Sequence, residues 1–132
     1  MKENKGRILC VDDDKDTCEM LTFILGQADY EVIQAQSIAE GLTLARREQF
    51  DLILLDWFYD DGTGIELCQM IRAFNSQTPI LFYSGVASGT EIKKAMSVGA
   101  QGFLVKPVRT EDLLHTVSRF LSNDPGEGPH VN

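Results

Sequence analysis

The sequence predicts an α/β protein built around a parallel β-sheet with helices on both faces. Two observations predict it. Five short apolar segments of β-favouring residues recur along the chain, and between them lie stretches whose apolar residues repeat at helical spacing. Strands that alternate with helices of this length form βαβ units, which place the strands parallel in one sheet. The 132 residues suffice for one domain with a substantial core.

The five predicted strands differ in how their apolar residues are arranged. Four are short and almost continuously apolar, as strands buried on both faces are expected to be. They are ILCV (8–11), LILL (52–55), PILFYS (79–84) and GFLV (102–105). The segment YEVIQAQ (30–36), second in chain order, alternates more and is predicted to be an edge strand.

A helix is predicted after each strand, because apolar residues there fall on one stripe at helical spacing. The stripes are Cys18, Leu21, Leu25 and Ala28 in 15–28; Ile38, Leu42 and Ala45 in 38–48; then Ile65, Cys68 and Ile71; Ile92, Ala95 and Met96; and Leu113, Leu114, Val117 and Leu121. We expect one domain over residues 1–122. The Gly- and Pro-rich residues 123–132 are predicted to be a flexible tail or the start of a linker.

Composition and charge exclude several classes of partner. The net charge of −8 argues against direct nucleic-acid binding and against an anionic membrane surface. The sequence contains neither an apolar signal region nor a stretch of membrane-spanning length, so we expect a cytoplasmic protein. The three cysteines, Cys10, Cys18 and Cys68, lack C-x-x-C spacing and are expected to be small buried side chains.

Charged and polar residues stand where the predicted strands end. Asp12 and Asp13 follow the first strand, Asp56 the third, Ser84 closes the fourth and Lys106 follows the fifth. Because the carboxyl ends of parallel strands meet at one edge of a sheet, we expect all five to converge there.

Clustered carboxylates at such an edge require a compensating positive charge. Two unit charges 4 Å apart repel by about 4 kcal/mol at an effective dielectric constant of 20. A hard divalent cation removes this repulsion, and an all-oxygen site favours Mg²⁺ or Mn²⁺ over zinc. Taken singly, each residue has a simpler role as a cap, a turn residue or a solvated charge, and we expect Asp14 to cap the helix that follows.

The ordered set of motifs resembles the receiver domain of bacterial two-component response regulators. The matching segments are VDDD (11–14), LLD (54–56) with DGTG (61–64), YSG (83–85) and GAQGFLVKP (99–107), and the resemblance covers residues 7–122. It implies a flavodoxin-like (βα)5 fold, a doubly wound parallel sheet of five strands in the order 2-1-3-4-5.

The resemblance also implies a role for each matching position. Asp56 corresponds to the aspartate that accepts a phosphoryl group from a phosphohistidine. The other implied roles are Mg²⁺ ligation by Asp12, Asp13, Asp56 and the backbone carbonyl of Phe58; contact with the phosphoryl group by Ser84 and Lys106; a switch function for Ser84 and the aromatic Phe103; and a cis peptide bond between Lys106 and Pro107.

Overall, the resemblance implies a signalling domain rather than an enzyme, one that catalyses only its own phosphorylation and a slow autodephosphorylation. The implied phosphodonor is a sensor histidine kinase or a phosphotransfer protein. The implied receiving partner is a downstream protein or output domain, bound through the fourth helix, the fifth strand and the fifth helix. The implied assembly is a monomer or a homodimer promoted by phosphorylation.

Four positions depart from the family pattern. Asp60 replaces a usual proline, so we expect a more mobile loop after Asp56, and Gly85 replaces a frequent alanine. Phe58 and Val86 are apolar where an attacking water would need a polar partner. We therefore expect slow self-dephosphorylation.

Two alternatives stay open at this point. One is a Mg²⁺-dependent phosphatase of the haloacid-dehalogenase type, which also uses an aspartate at a strand end. That class needs a second aspartate two residues after the first, where this chain has Phe58. The other is a pseudo-receiver that binds partners without phosphorylation, against which the complete set of site residues speaks.

Overall fold

A computed structural model describes residues 4–85, 88–122 and 130–131. The strands are β1 (Arg7–Val11), β2 (Glu31–Ala35), β3 (Leu52–Leu55), β4 (Phe58–Tyr59), β5 (Gly62–Thr63), β6 (Ile80–Ser84), β7 (Gly102–Val105) and β8 (His130–Val131). The helices are α1 (Lys15–Gln27), α2 (Ile38–Arg47), α3 (Gly64–Arg72), α4 (Gly89–Ser97) and α5 (Thr110–Leu121).

The main sheet is parallel, with the strand order β2-β1-β3-β6-β7-β8. Its first five strands are the five predicted ones in the predicted order, so the flavodoxin-like fold is confirmed. β2 is an edge strand, as its alternating pattern predicts. The register aligns Val11 with Leu55, and Leu55 with Phe82, so the carboxyl ends of the central strands lie side by side.

Two apolar layers cover the sheet. One packs α2, α3 and α4 against one face and contains Leu9 and Val11 of β1. The other packs α1 and α5 against the opposite face and contains Ile8 and Cys10 of the same strand. This alternation follows from the two-residue period of a strand, and it explains why the central strands are apolar at nearly every position. The three cysteines are free and buried, as predicted.

Side-chain caps fix the starts of α1 and α3, the two helices that follow the acidic residues. Asp14 caps α1 and accepts a hydrogen bond from the backbone N–H of Asp16, which confirms its predicted role. α3 begins with a capping box, in which Thr63 and Glu66 each accept a hydrogen bond from the other's backbone N–H. This box fixes the start of α3 directly after the segment that follows Asp56.

Two short pairings are additional to the prediction. β4 and β5 form an antiparallel hairpin, with Asp60 and Asp61 between Tyr59 and Gly62. β8 pairs in parallel with β7, through Gly102 and Phe103. The mobility expected for the loop at Asp60 and the flexibility expected for the tail stay predictions. Residues 123–129 and 132 of that tail, and Val86, lie outside the described residues.

Within the described part of the chain, no helix has the length and apolar character needed to cross a membrane.

Candidate functional site

The acidic residues that follow β1 and β3 meet at one edge of the sheet, as predicted. Asp12, Asp13 and Asp56 each offer a carboxylate oxygen within 4.8 Å of those of the other two. Asp12 and Asp13 follow β1 and Asp56 follows β3, the two strands being hydrogen-bonded neighbours. The convergence therefore comes from the order of the strands rather than from proximity along the chain.

Lys106, at the end of β7, reaches across to two of these acids. Its Nζ lies 2.9 Å from Oδ2 of Asp12 and 3.4 Å from Oδ2 of Asp56. The same ammonium lies 5.1 Å from the centre of the Tyr83 ring. Burial lowers the pKa of Lys106, but the hydrogen bond to Asp12 and the charges of Asp56 and Asp12 outweigh it, so the pKa is raised overall. The amine is thus held in its charged form.

Asp12 is the most deeply buried of the three acids, with 2% of its surface exposed. Burial raises its pKa, and the nearby charge of Asp56 raises it further. The hydrogen bonds that it accepts from the backbone N–H of Asp14, at 2.9 Å, and from Lys106 oppose this rise without cancelling it. The protein alone therefore does not fully stabilise the ionised form of Asp12.

The carboxylate of Asp56 is oriented by its own backbone. Its Oδ1 accepts a hydrogen bond of 2.7 Å from the N–H of Trp57. The N–H of Gly64 donates a hydrogen bond of 2.7 Å to the carbonyl of Trp57, and this bond joins the two ends of the β4–β5 hairpin. A Cβ on Gly64 would lie 2.1 Å from the carbonyl oxygen of Asp56, so only glycine fits beneath the acid.

The donor set suits a hard divalent cation. All three side chains offer carboxylate oxygens, the ligands that Mg²⁺ prefers, and the ammonium of Lys106 contacts only two of them, Asp12 and Asp56, among the described contacts. Asp13 is exposed, which leaves a path for a hydrated ion, whereas Asp12 closes the inner side of the cluster. Asp12, Asp13 and Asp56 are therefore the residues that could hold Mg²⁺ here.

The remaining predicted residues lie around this cluster. Ser84 ends β6 and is 1% exposed, and its carbonyl accepts a hydrogen bond of 2.8 Å from the N–H of Lys106. The peptide bond between Lys106 and Pro107 is cis. Phe58 begins β4 with its side chain pointing outwards, 58% exposed. Its role as a metal ligand stays a prediction.

Phe103 lies inside the protein, on the face of the sheet that packs against α2, α3 and α4. It is fully buried and stacks on Phe82, with ring centres 5.8 Å apart. Trp57 lies 5.6 Å from Phe82 and 6.4 Å from Phe103, measured between ring centres. The residue after Asp56 is thereby in direct contact with the predicted switch aromatic.

The sequence predicts no individual role for Tyr59 and Asp61, which lie in the hairpin that follows Asp56. The Tyr59 hydroxyl lies between β1 and β3, where burial raises its pKa well above the usual range, so the phenol stays neutral. Asp61 accepts hydrogen bonds from the N–H groups of Ile38 and Ala39, which lower its pKa. In the sequence, Tyr59 is one more apolar position, and its partner Val11 lies 48 residues earlier.

A comparison with known protein families identifies the family to which the chain belongs. The family model described as the response regulator receiver domain matches residues 8–118. The chain belongs to this family. Its membership confirms the resemblance and places the chain among the signalling domains of two-component systems rather than among the haloacid-dehalogenase-type phosphatases.

Individual relatives agree with the family model. The chain is 33% identical to the response regulator protein PilR of Pseudomonas aeruginosa over 98% of this chain, and 30% identical to the DNA-binding response regulator MtrA of Mycobacterium tuberculosis over 94%. It spans only 30% of PilR and 54% of MtrA. A CheY-like receiver domain protein from Methanospirillum hungatei superposes with a TM-score of 0.87 at 31% identity, covering 96% of this chain and all of the other.

Proposed function

We propose that Asp56 accepts a phosphoryl group, in a reaction that requires Mg²⁺, from the phosphohistidine of a sensor histidine kinase or a phosphotransfer protein. The observation that carries this proposal is the meeting of three carboxylates within 4.8 Å, two of which share the ammonium of Lys106. An acid cluster with an attached ammonium suits the transfer of an anionic group, whose charge must be neutralised as it arrives.

The proposed step is a displacement at phosphorus. A carboxylate oxygen of Asp56 forms the new P–O bond while the P–N bond to the donor imidazole breaks, and the electron pair of that bond stays on the nitrogen. The hydrogen bond from Trp57 to Oδ1, at 2.7 Å, orients the carboxylate for this attack. Asp56 thus acts as the nucleophile.

The charges of the reaction are shared among the neighbouring groups. Asp12, Asp13 and Asp56, with the Phe58 carbonyl as a further ligand, would hold Mg²⁺, whose positive charge would offset the acids and the arriving oxygens. Lys106, already 3.4 Å from Oδ2 of Asp56, pairs with the product phosphoryl group. The hydroxyl of Ser84 donates a hydrogen bond to one of the phosphoryl oxygens.

The proposed output is a change of surface on α4, β7 and α5. A hydrogen bond to a charged group contributes about 1.5–3 kcal/mol, whereas reversing a 1:99 population requires about 5.5 kcal/mol. Ser84 therefore cannot drive the change alone, and Lys106, Phe103 and partner binding contribute the rest. The partner is a downstream protein or an output domain, and the domain acts as a monomer or a phosphorylation-promoted homodimer. The cytoplasmic location stays a prediction.

Phosphoramidate tests the reaction directly, since its P–N bond matches that of phosphohistidine. Incubation of the protein with phosphoramidate and Mg²⁺ is expected to add one phosphoryl group, detected by intact-mass spectrometry. Asp56→Asn is expected to abolish the addition, because the nucleophilic oxygen is lost, and EDTA is expected to suppress it. Asp112→Asn, an exposed position on α5, is the matched control and keeps it.

The outcomes separate the competing functions. Repeated hydrolysis of a phosphomonoester without a stable adduct contradicts the proposal and supports phosphatase chemistry. A folded protein that takes up no phosphoryl group is a pseudo-receiver. Uptake that survives in Asp56→Asn shows that another residue is the acceptor.

We also propose that the phosphoryl group is lost slowly. The Phe58 side chain is exposed beside the site and has no polar atom to orient a water molecule. Phe58→Asn is expected to shorten the lifetime of the phosphorylated protein, measured by the decay of the adduct mass after removal of the donor. Phe23→Asn, an exposed phenylalanine on α1, is the control. A lifetime of seconds in the wild-type protein contradicts the proposal.

A further inference from the structure

Tyr59 is a buried tyrosine three residues after Asp56, with 7% of its surface exposed. Its hydroxyl donates a hydrogen bond of 2.7 Å to the carbonyl of Val11 and accepts one of 2.7 Å from the N–H of Asp56. A phenolic oxygen has one proton to donate and can accept at the same time, so both bonds form together. The hydroxyl is thus a bridge between the last residue of β1 and the first residue after β3.

The two groups that it bridges also contact each other directly. The N–H of Asp56 lies 3.2 Å from the carbonyl of Val11, which is the long end of the hydrogen-bond range. The phenol is therefore a second, shorter partner for both groups, placed at the point where the two strands reach the site.

This bridge lies directly beside the residues that form the acid cluster. Val11 is bonded to Asp12, and the other bridged group is the backbone of Asp56 itself. Tyr59 also belongs to β4, where it pairs with Gly62, next to Phe58. One hydroxyl therefore ties together the three backbone segments that carry the proposed metal ligands.

We propose that Tyr59 is a positioning residue for the phosphoryl transfer proposed above, holding the ends of β1 and β3 at the separation that Mg²⁺ binding requires. This inference rests on the proposed function and adds a residue to it. Tyr59 contacts neither the ion nor the phosphoryl group. It acts through the backbone of Asp56 and Val11, because a small displacement of an oriented nucleophile lowers the rate strongly.

Tyr59→Phe tests the inference, since it removes the hydroxyl and keeps the ring. The strand ends are expected to close on each other and to shift Asp56 towards Asp12. We expect the Kd for Mg²⁺, measured from the fluorescence of Trp57, to rise about fivefold, because the displaced carboxylates must be moved back into position before they can bind the ion. The rate of phosphorylation by phosphoramidate at saturating Mg²⁺ is expected to fall about tenfold.

Tyr30→Phe is the matched control. Tyr30 is equally a buried tyrosine, 9% exposed, but it precedes β2 at the opposite end of the sheet. Both variants are measured well below their unfolding transitions, so that a loss of stability by itself leaves the Kd and the rate unchanged. A purely structural role for Tyr59 gives a lower unfolding midpoint with wild-type Mg²⁺ affinity and rate, and that result overturns the inference.

A second measurement covers the case in which Tyr59→Phe does not fold. In the wild-type protein, the amide proton of Asp56 is expected to exchange slowly with solvent, because two acceptors face it. Exchange as fast as that of an open loop amide overturns the inference without any variant. If the wild-type protein itself neither binds Mg²⁺ nor takes up a phosphoryl group, the proposed function fails. If it does both and Tyr59→Phe matches Tyr30→Phe, only the inference fails.

Discussion

Both ends of the sheet carry a cation with acidic partners, but the two groups differ in burial. At the amino end, the Arg7 guanidinium contacts the carboxylates of Glu31 and Glu48, the second at 2.8 Å. The side chains of both acids are more than one third exposed. At the carboxyl end, Lys106 contacts Asp12 and Asp56, whose side chains are only 3% and 16% exposed.

The two ends therefore differ in how strongly burial opposes the charged form of their groups. Hydrogen bonds to Glu31 and then to Glu48 raise the pKa of Arg7, so its partners strengthen a charge that water already stabilises. At the other end, burial raises the pKa of Asp12 despite its contact with Lys106. A cation beside an acid is therefore found at both ends and does not distinguish them. The feature that indicates a binding site is a buried acid whose ionised form is disfavoured.

The largest expected loss of stability comes from placing a side chain beneath Asp56, at the carboxyl end of the sheet. Gly64→Ala would place a Cβ 2.1 Å from the Asp56 carbonyl oxygen and 2.7 Å from Phe82 Cε1. We expect a loss of about 3 kcal/mol in the free energy of unfolding, measured by urea denaturation, because the contact is mostly with backbone.

Gly26→Ala is the control for this substitution. Gly26 lies near the end of α1, and a Cβ there meets nothing within 4 Å. Alanine should stabilise the helix by about 0.5–1 kcal/mol. Equal stability of the two variants would show that the backbone around Asp56 can move to accommodate a Cβ at little cost in free energy. The site would then be less rigid than the contacts of Gly64 imply.

The next largest expected change in stability is the gain from Mg²⁺ binding, which should depend on residues at the carboxyl end of the sheet and not on those at the amino end. A ligand at one hundred times its Kd stabilises the folded state by about 2.7 kcal/mol, which a thermal shift with MgCl₂ can measure. Asp13→Asn should remove most of this shift, since it deletes an exposed carboxylate of the cluster. Glu48→Gln, at the amino end, should keep it in full. A shift that survives in Asp13→Asn would place the ion elsewhere.

The smallest expected effect is that of the amino-end contacts. Glu48→Gln should lower the free energy of unfolding by less than about 1 kcal/mol, because exposed ion pairs contribute little. The loss should shrink as NaCl is raised, since salt screens exposed charges. Chemical denaturation with urea at low and high salt measures it. A loss that is larger than that of Gly64→Ala would reverse the ranking of the two ends.

Most of the fold could be predicted because the apolar pattern of the sequence is nearly continuous where the sheet is buried. The predicted strand 52–55 has its bounds confirmed, and the predicted strand 79–84 begins one residue before Ile80–Ser84. The hairpin of β4 and β5 could not be predicted, because a strand of two residues has no periodicity to detect. The same holds for β8.

The candidate site could be predicted as a set of residues but not as a geometry. Aspartates and a lysine at strand ends are visible in the sequence, and the strand order brings them together. The bridge made by Tyr59 is not visible, because a tyrosine in an apolar pattern usually indicates core packing, and its partners depend on how the chain folds back after Asp56.

The hydrogen bond from the Lys106 N–H to the Ser84 carbonyl couples the positions of two site residues through the backbone. Ser84 pairs with Val105 in the register of β6 and β7, and the bond of 2.8 Å continues that ladder by one rung. The backbones that carry the Lys106 amine and the Ser84 hydroxyl thus lie on adjacent strands and stay together unless the ladder breaks. A shift of the backbone of either strand end would therefore also move the other strand end, and with it the side chain that this strand carries to the site.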